Sequence, residues 1–436
     1  MNRILLIIFF CFCNVIVLLS NDFETISLFY FYYLLVYLFL DFLWSKKFKF
    51  IHVWCIAFLY MILSESFISE EIKNLEYSLE ALKLFIYSNN FVVIGYYAFY
   101  KKIKSSYIDK SNFVYIQKKN GGFLLFILLL LFCYFEYNII SKIYILGRLQ
   151  AYETIDRSFT TSIINSLGFI LPASFAYYFF ILKGKSLWIP FLYSLPVFLI
   201  FFTSGTRFYL LFSFLGFIMV IFDKYFSKRS LKKIIIFSSV AIALILVSNL
   251  MKNSRYNNWS DREDVNNTDF PTYISKEFFS NEGAIEMTTL LITYFQSNKH
   301  LLGESSSFIT YFWIPRSIWP EKPMMLGYWL VRKYRNGLPN SHSVTFGFIG
   351  DVYADFGYYC LIVMFIFGFL IYKVEILKDK LLNSKHFATV LGAMLYPVLF
   401  FFVRDPITSL MNLVGIVFFY LLIKKMIINS KRPTIN

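Results

Sequence analysis

Three arginines draw attention because each lies beside a long apolar block. Arg207 follows SGT and begins one block, Arg316 lies in YFWIPRSIWPEKP (311–323), and Arg404 lies between two blocks in FFVRDP. A charge at the edge of lipid is costly without a partner. The planar guanidinium grips phosphate with a fixed fork of donors. Three such groups converging on one cavity would suit a lipid pyrophosphate; headgroup anchoring, or an ion pair such as Arg404 with Asp405, is the alternative.

The stretch 311–323 combines aromatic side chains, three prolines and three charges. The prolines preclude a continuous helix, so the chain there should be extended or kinked and should fix Arg316 in place. The aromatic side chains suit a membrane interface. Lys322 is a further candidate cation in the same stretch.

Groups that could transfer a proton follow this stretch. His342 titrates near neutral pH and could take a proton from a sugar hydroxyl, unless it is only a polar loop residue. Asp351 and Asp355 are four residues apart and share a face on a helix. A carboxylate can act as the general base in glycosyl chemistry, whereas ion pairing with the arginines is the alternative role. Tyr353 and Glu321 are weaker candidates. No metal-ligand spacing, P-loop or GxGxxG motif is present, so we predict neither a metal nor a cofactor.

The elements that must position these residues are membrane helices. Of the 436 residues, 58% are hydrophobic and only 16% are charged, which is too few charges to cover a soluble domain. The apolar residues form long continuous blocks, which favours helices over a barrel. We therefore predict an all-α polytopic membrane protein with a single integral membrane domain over 1–436. Its twelve candidate spans are about 4–20, 25–44, 51–64, 81–100, 122–141, 162–182, 187–203, 207–223, 234–250, 352–372, 386–402 and 406–423.

Lysine and arginine are enriched in alternate loops, which predicts the orientation of the chain. The basic loops and the C-terminal segment 424–432 fall on one side if the twelve spans alternate, and the acidic segment 64–80 falls on the other. The positive-inside rule then places both termini in the cytoplasm. The three arginines and the long segment 251–351 consequently lie on the outer side.

The formal net charge of +15 does not indicate a nucleic-acid-binding protein, because the lysines lie between apolar blocks rather than on one soluble face. The five cysteines lie in or at the edge of these blocks and do not form a disulfide framework or a metal motif.

The segment 251–351 forms one large outer loop between the ninth and tenth spans. Its first part, 251–282, is polar and should be irregular. Residues 283–295 have apolar side chains at a spacing of three to four, which predicts either an amphipathic helix on the lipid or a half-span.

Two motifs in and after this loop resemble a known family. WIPRSIWPEKP (313–323), followed by TFGFIGDVYADFGYY (345–359), resembles the oligosaccharide repeat unit polymerases, the O-antigen polymerases often called Wzy. The shared pattern is Pro-Arg, then aromatic-Pro-x-Lys-Pro, then glycine and acidic residues before an aromatic-Gly helix start. SGTRF (204–208) looks like an outer arginine of the same family. Cys360 departs from the pattern, where a small glycine is expected.

The resemblance implies a GT-C-like membrane glycosyltransferase of the bacterial inner membrane. It would join repeat units linked to undecaprenyl pyrophosphate at the periplasmic face, in contact with membrane lipid and with a polysaccharide chain-length regulator as a further partner. The predicted catalytic residues are Arg316, Asp351 and His342, and the predicted substrate-binding residues are Arg207, Arg404, Lys322, Asp355 and Tyr353.

Three other functions stay open at this point. An O-antigen ligase uses the same donor and should depend on an outer histidine, for which His342 is the best available. A flippase or transporter needs charges within its spans, whereas 122–141 and 234–250 have few. A structural membrane protein would not need clustered outer arginines.

Overall fold

A computed structural model shows a helical membrane protein. It describes residues 3–45, 48–63, 66, 75–100, 115–117, 120–146, 159–204, 207–225, 283–311, 314, 318–323, 325–327, 329, 346–383 and 387–430.

The described part of the chain consists mainly of helices, with one short antiparallel pair of strands. The strands are β1 (Tyr115–Gln117) and β2 (Ile428–Ser430). The helices are α1 (Arg3–Leu19), α2 (Phe23–Ser45), α3 (Phe50–Met61), α4 (Ser78–Phe99), α5 (Gly121–Leu146), α6 (Phe159–Phe175), α7 (Trp188–Thr203), α8 (Arg207–Tyr225), α9 (Ala284–Ser297), α10 (Glu304–Tyr311), α11 (Gly347–Phe356), α12 (Cys360–Asn383), α13 (Ala388–Phe402) and α14 (Pro406–Ile427).

The predicted spans coincide with these helices, except that the ninth span (234–250) lies outside the described residues. The prediction of a helical membrane protein is therefore confirmed. The count of twelve spans and the GT-C-like arrangement stay predictions. Helices long and apolar enough to cross a membrane cover Phe23–Ser45, Gly121–Lys142, Ile163–Leu182, Gly347–Leu382 and Pro406–Ile427.

The chain divides into two compact units. The first contains α1–α4, α9–α11, most of α12 and the segment 399–409. The second contains α5–α8, the strands, and most of α13 and α14. A single membrane domain over 1–436 stays a prediction.

In the first unit, α4 is in backbone contact with α12. A Cβ atom added at Gly95 would overlap the carbonyl oxygen of Phe365, and one added at Gly368 would overlap that of Val92. Small residues allow such close approach between helices in lipid, where van der Waals packing replaces the hydrophobic effect as the main attraction. This contact holds α12, and therefore α11 before it, against α4.

Helix α9 confirms the helix predicted over 283–295, but it is packed inside the protein. Most of its side chains are buried, including Thr288, Leu291 and Phe295, and it contacts α4 and α11. The regularly spaced apolar side chains of this segment therefore pack against other helices of the first unit.

In the second unit, α6 packs against α5, α7 and α8. Pro172 lies inside α6, and the helix continues as a π-helical segment, Ala176–Leu182. Proline removes one backbone hydrogen bond, and π-helical turns accommodate such interruptions. The segment ends at the short turn that leads into α7.

Candidate active site

The structure describes five of the eight predicted site residues with their side chains. Arg316 and His342 lie outside the described residues. Arg207 begins α8 in the second unit, and its side chain lies outside the described part. The five residues described in full are Lys322, Asp351, Tyr353, Asp355 and Arg404, all in the first unit.

Asp355 lies near the end of α11 and is fully buried. Its carboxylate accepts hydrogen bonds from the backbone amides of Ser305 (2.9 Å) and Ser306 (2.8 Å). It also accepts one from the hydroxyl of Ser306. A carboxylate at this place satisfies free amides in the first turn of α10 and complements the positive end of that helix. Asp355 thus joins α10 to α11.

The hydrogen bonds of the preceding loop strengthen this junction. The amides of Leu301 and Leu302 donate to the carbonyl oxygens of Ala354 (3.0 Å) and Asp355 (2.9 Å). The segment that leads into α10 is therefore bound to the end of α11 by both backbone and side chain.

Asp405 is a second carboxylate that accepts hydrogen bonds from the start of a helix. Its side chain accepts hydrogen bonds from the amide (2.9 Å) and the hydroxyl (2.7 Å) of Thr408 at the beginning of α14. Pro406 occupies the first helical position, where its missing N–H costs nothing. Asp405 is therefore the N-cap of α14.

Asp351 lies within electrostatic range of both carboxylates, Asp355 and Asp405. Within the described part of the chain, no residue donates a hydrogen bond to its carboxylate. The side chain is half-buried on α11. Asp351 is thus the carboxylate of the three whose oxygens accept no hydrogen bond from a described residue.

Arg404 lies beside the first turn of α11. The amide of Phe348 donates to the carbonyl oxygen of Val403 at 2.9 Å. Gly347 has a φ of +68°, and a Cβ atom there would lie 3.1 Å from the same oxygen, so glycine permits this approach. Half-buried Arg404 therefore follows directly on the residue that contacts the first turn of α11, the helix that carries Asp351.

Lys322 bridges the stretch that contains Arg316. Its ammonium group donates to the carbonyl oxygen of Ile314 at 2.8 Å and lies 5.3 Å from the centroid of the Phe308 ring. Its side chain is buried. Lys322 therefore fastens the far end of the stretch to α10 and to the residue two positions before Arg316.

Tyr353 lies on another face of α11 and is buried among rings. Its ring centroid is 5.4 Å from that of His300 and 5.6 Å from that of Tyr358. His300 also stacks on Phe295 at 4.5 Å. Sequence reasoning did not single out His300 as a site residue, and its packing against α11 depends on a fold contact that no local pattern predicts.

The first unit also holds a buried polar cluster that sequence reasoning missed. Asp41 accepts hydrogen bonds from Lys49 (2.6 Å), His52 (2.7 Å) and Tyr97 (2.8 Å). The cluster joins the end of α2, the start of α3 and the end of α4. Tyr97 lies at the opposite end of α4 from Glu80, which accepts a hydrogen bond from Tyr358 just after α11. Because every charge in the cluster has a partner, we interpret it as a structural joint.

The first unit therefore contains one carboxylate on α11, Asp351, that accepts no hydrogen bond from a described residue, and the segment that carries Arg404 contacts the start of the same helix. The carboxylates of Asp355 and Asp405 bind helix starts instead. A carboxylate can accept a proton, and a guanidinium group can stabilise an anion. Within the described residues, no group of His, Cys, Asp or Glu side chains could hold a metal ion.

The sequence contains a signal for the N-cap of α14, which was not predicted. Asp405, Pro406 and Thr408 form Asp-Pro-x-Thr, an N-cap followed by proline at the first helical position. This pattern identifies Asp405 as a structural carboxylate and separates it from Asp351.

A comparison with protein families extends the resemblance beyond the short motifs. A family model described as O-antigen polysaccharide polymerase Wzy matches residues 1–431. No curated protein and no solved structure matches the chain.

Proposed function

Because the chain belongs to the O-antigen polysaccharide polymerase Wzy family, we propose that it polymerises lipid-linked repeat units by glycosyl transfer. The match over residues 1–431 is the observation that carries this proposal. The substrates would be O-antigen or similar repeat units on undecaprenyl pyrophosphate.

The reaction requires one bond to form and one to break. A hydroxyl oxygen on the terminal sugar of an incoming unit attacks the anomeric carbon of the growing chain. The bond from that carbon to the pyrophosphate oxygen breaks, so undecaprenyl pyrophosphate leaves with the bonding electrons. The hydroxyl proton passes to a general base.

Arg316 and Arg404 are the groups we assign to the leaving pyrophosphate. Guanidinium groups neutralise the charge that grows on the leaving oxygen, and this stabilisation is largest in the transition state. Lys322 supports them by holding the stretch around Arg316. Arg207, in the second unit, stays a predicted pyrophosphate ligand.

Asp351 is the general base that the geometry of the first unit favours. Its carboxylate accepts no hydrogen bond from the start of a helix, unlike those of Asp355 and Asp405. His342 stays the second candidate base. Asp355 contributes by holding α10 to α11, and buried Tyr353 by shaping α11, so both act on the substrate through the position of other groups.

We place the reaction at the periplasmic face of the bacterial inner membrane, with both termini in the cytoplasm. The distribution of lysine and arginine between alternate loops supports this orientation. A phosphatase reporter fused after residue 436 should be inactive, whereas an active fusion would reverse the topology. A chain-length regulator is a further proposed partner.

A lipopolysaccharide gel tests the assignment of Asp351. A deletion strain would carry the wild type, Asp351→Asn, or Asp22→Asn as a control. Asp22 is an exposed carboxylate that accepts the amide of Thr25 at 2.8 Å, and asparagine caps equally well. We expect a ladder with the wild type and the control. Asp351→Asn should leave mainly core plus one unit, because loss of a general base lowers rates by roughly a hundredfold or more.

The gel also separates the competing functions. Core alone in the deletion strain would indicate a ligase or a flippase and contradict the polymerase. A normal ladder with Asp351→Asn would overturn Asp351 as the base while leaving polymerisation intact. Arg316→Ala, tested in the same strain, examines the pyrophosphate assignment independently.

A further inference from the structure

A cavity of about 520 Å³ lies in the second unit, at the ends of three helices. It is bounded by the start of α5, by the π-helical end of α6 with the turn that follows, and by α7. None of these elements carries a predicted site residue, so the reaction proposed above assigns the cavity no role.

The inner wall of the cavity is aromatic. Phe179 and Tyr193 stack with their centroids 4.7 Å apart, and Phe126 meets Tyr193 edge-on at 6.4 Å. A Cβ atom added at Gly122 would lie 3.0 Å from the Tyr178 ring, so α5 and this ring are in contact. The wall offers an apolar surface that an acyl chain can cover.

The rim of the cavity is cationic. Lys183 and Lys185 both line it and are exposed, and the Lys183 ammonium lies 5.6 Å from the centroid of the Tyr178 ring. Their amides donate to the carbonyl oxygens of Tyr178 (3.1 Å) and Phe179 (2.9 Å), which fixes the turn that carries them. The lining contains no acidic residue, and no described carboxylate pairs with either lysine.

The cavity lies at a membrane boundary. Two segments apolar enough to cross a membrane end here, because one begins at Gly121 and the other finishes at Leu182. Trp188, the first residue of α7, is 72% exposed, and exposed tryptophan is typical of the lipid–water interface. A ligand in this position meets lipid on its apolar side and water on its charged side.

We propose that this cavity binds an anionic phospholipid. The headgroup phosphate would lie between Lys183 and Lys185, near Asn120 and the amides at the start of α5. An acyl chain would follow the aromatic wall along Phe126 and Tyr193. The charge complementarity of the rim favours an anionic headgroup over a zwitterionic one.

Native mass spectrometry of the full-length protein in detergent tests this site, with added phosphatidylglycerol or phosphatidylethanolamine. The charge-removing variant is Lys183→Gln/Lys185→Gln. A matched control is Lys373→Gln/Lys424→Gln, because these lysines also lie over aromatic rings, at 5.0 and 5.9 Å, but do not line the cavity.

We expect the wild type to retain phosphatidylglycerol in preference to phosphatidylethanolamine. The Lys183/Lys185 variant should bind phosphatidylglycerol roughly tenfold more weakly, because each lysine near a membrane surface contributes several-fold to the attraction of an anionic lipid. The control variant should bind like the wild type.

A second variant keeps the test free of folding effects. Asn120 is exposed, and its carbonyl oxygen accepts the amide of Leu124 at the start of α5. Asn120→Asp preserves an N-cap side chain but adds a negative charge at the rim, so it should weaken phosphatidylglycerol binding without lowering thermal stability.

Three results would overturn the proposal. The first is equal retention of both lipids by the wild type. The second is an equal loss of phosphatidylglycerol in the control variant, which would indicate general surface charge. The third is displacement of phosphatidylglycerol by millimolar inorganic phosphate, which would indicate a site for a soluble anion.

Discussion

The carboxylates near α11 differ in function because their oxygens accept different hydrogen bonds. Asp405 caps α14 through Thr408, and Asp355 holds the start of α10 through Ser305 and Ser306. Asp351 accepts no hydrogen bond from the described residues. Residue type and spacing make both Asp351 and Asp355 candidates, because residues four apart share a helix face. The assignment of Asp351 as catalytic and of Asp355 as substrate-binding stays a prediction. The difference between their roles depends on which backbone amides the fold brings to each side chain.

Replacement of Asp355 tests its positioning role. Asp355→Ala removes the acceptor for two amides at the start of α10, and loss of a helix cap costs about 1–2 kcal/mol. We expect a lower melting temperature of the detergent-purified protein, with Asp355→Asn less affected because its amide oxygen still accepts one of these bonds. Shortened polymer at an unchanged melting temperature in Asp355→Asn would instead indicate direct contact with substrate.

At the scale of elements, the apolar blocks predicted most helices because a membrane helix must be continuously apolar and satisfies its own backbone. The start of α10 was not predicted, since it depends on a cap rather than on hydropathy. The predicted twelfth span does begin at residue 406, where α14 begins, but Asp405 was not predicted as its cap. Helix α9 was predicted as a helix, but its burial depends on contacts with α4 and α11 that sequence periodicity does not reveal. The ring contacts of Tyr353 with His300 have the same origin.

The contact of α4 with α12 gives a second prediction. In Gly95→Ala the new methyl group meets the backbone of Phe365, which cannot move without displacing α12. In Gly216→Ala it meets the flexible side chain of Met394. We expect Gly95→Ala to lose about 1–3 kcal/mol of stability, as overpacked sites do, and Gly216→Ala to lose clearly less. Equal melting temperatures for the two variants would contradict the close backbone contact.

The buried cluster around Asp41 gives a third prediction. Asp41→Asn leaves the ammonium of Lys49 buried without its counterion, and breaking a buried pair costs about 3–5 kcal/mol. We expect a large loss of folded protein by size-exclusion chromatography. The double variant Asp41→Asn/Lys49→Met should recover much of it, because the unpaired charge is then removed. No recovery would mean that the ion pair is not the source of the loss.

At the scale of the whole molecule, the chain is a membrane protein of the Wzy family, and sequence alone predicted both statements. Composition and long apolar blocks determine the class, and the motifs around Arg316 and Asp351 indicated the family. The distribution of lysines predicts the orientation of the chain across the membrane. It does not predict how the helices pack. The environments of Arg316 and His342 stay predictions, because both residues lie outside the described part.

The proposed function requires that this chain by itself joins lipid-linked units. The most direct test reconstitutes the purified protein in liposomes with single repeat units on undecaprenyl pyrophosphate and no other protein. We predict a ladder of polymer with release of undecaprenyl pyrophosphate from the wild type. Arg316→Ala and Asp351→Asn should release at least roughly a hundredfold less, because each removes a group used in the transition state. Units that stay single with folded wild-type protein would contradict polymerisation by this chain, and an unchanged ladder with Arg316→Ala would contradict the assignment of Arg316 to the leaving pyrophosphate.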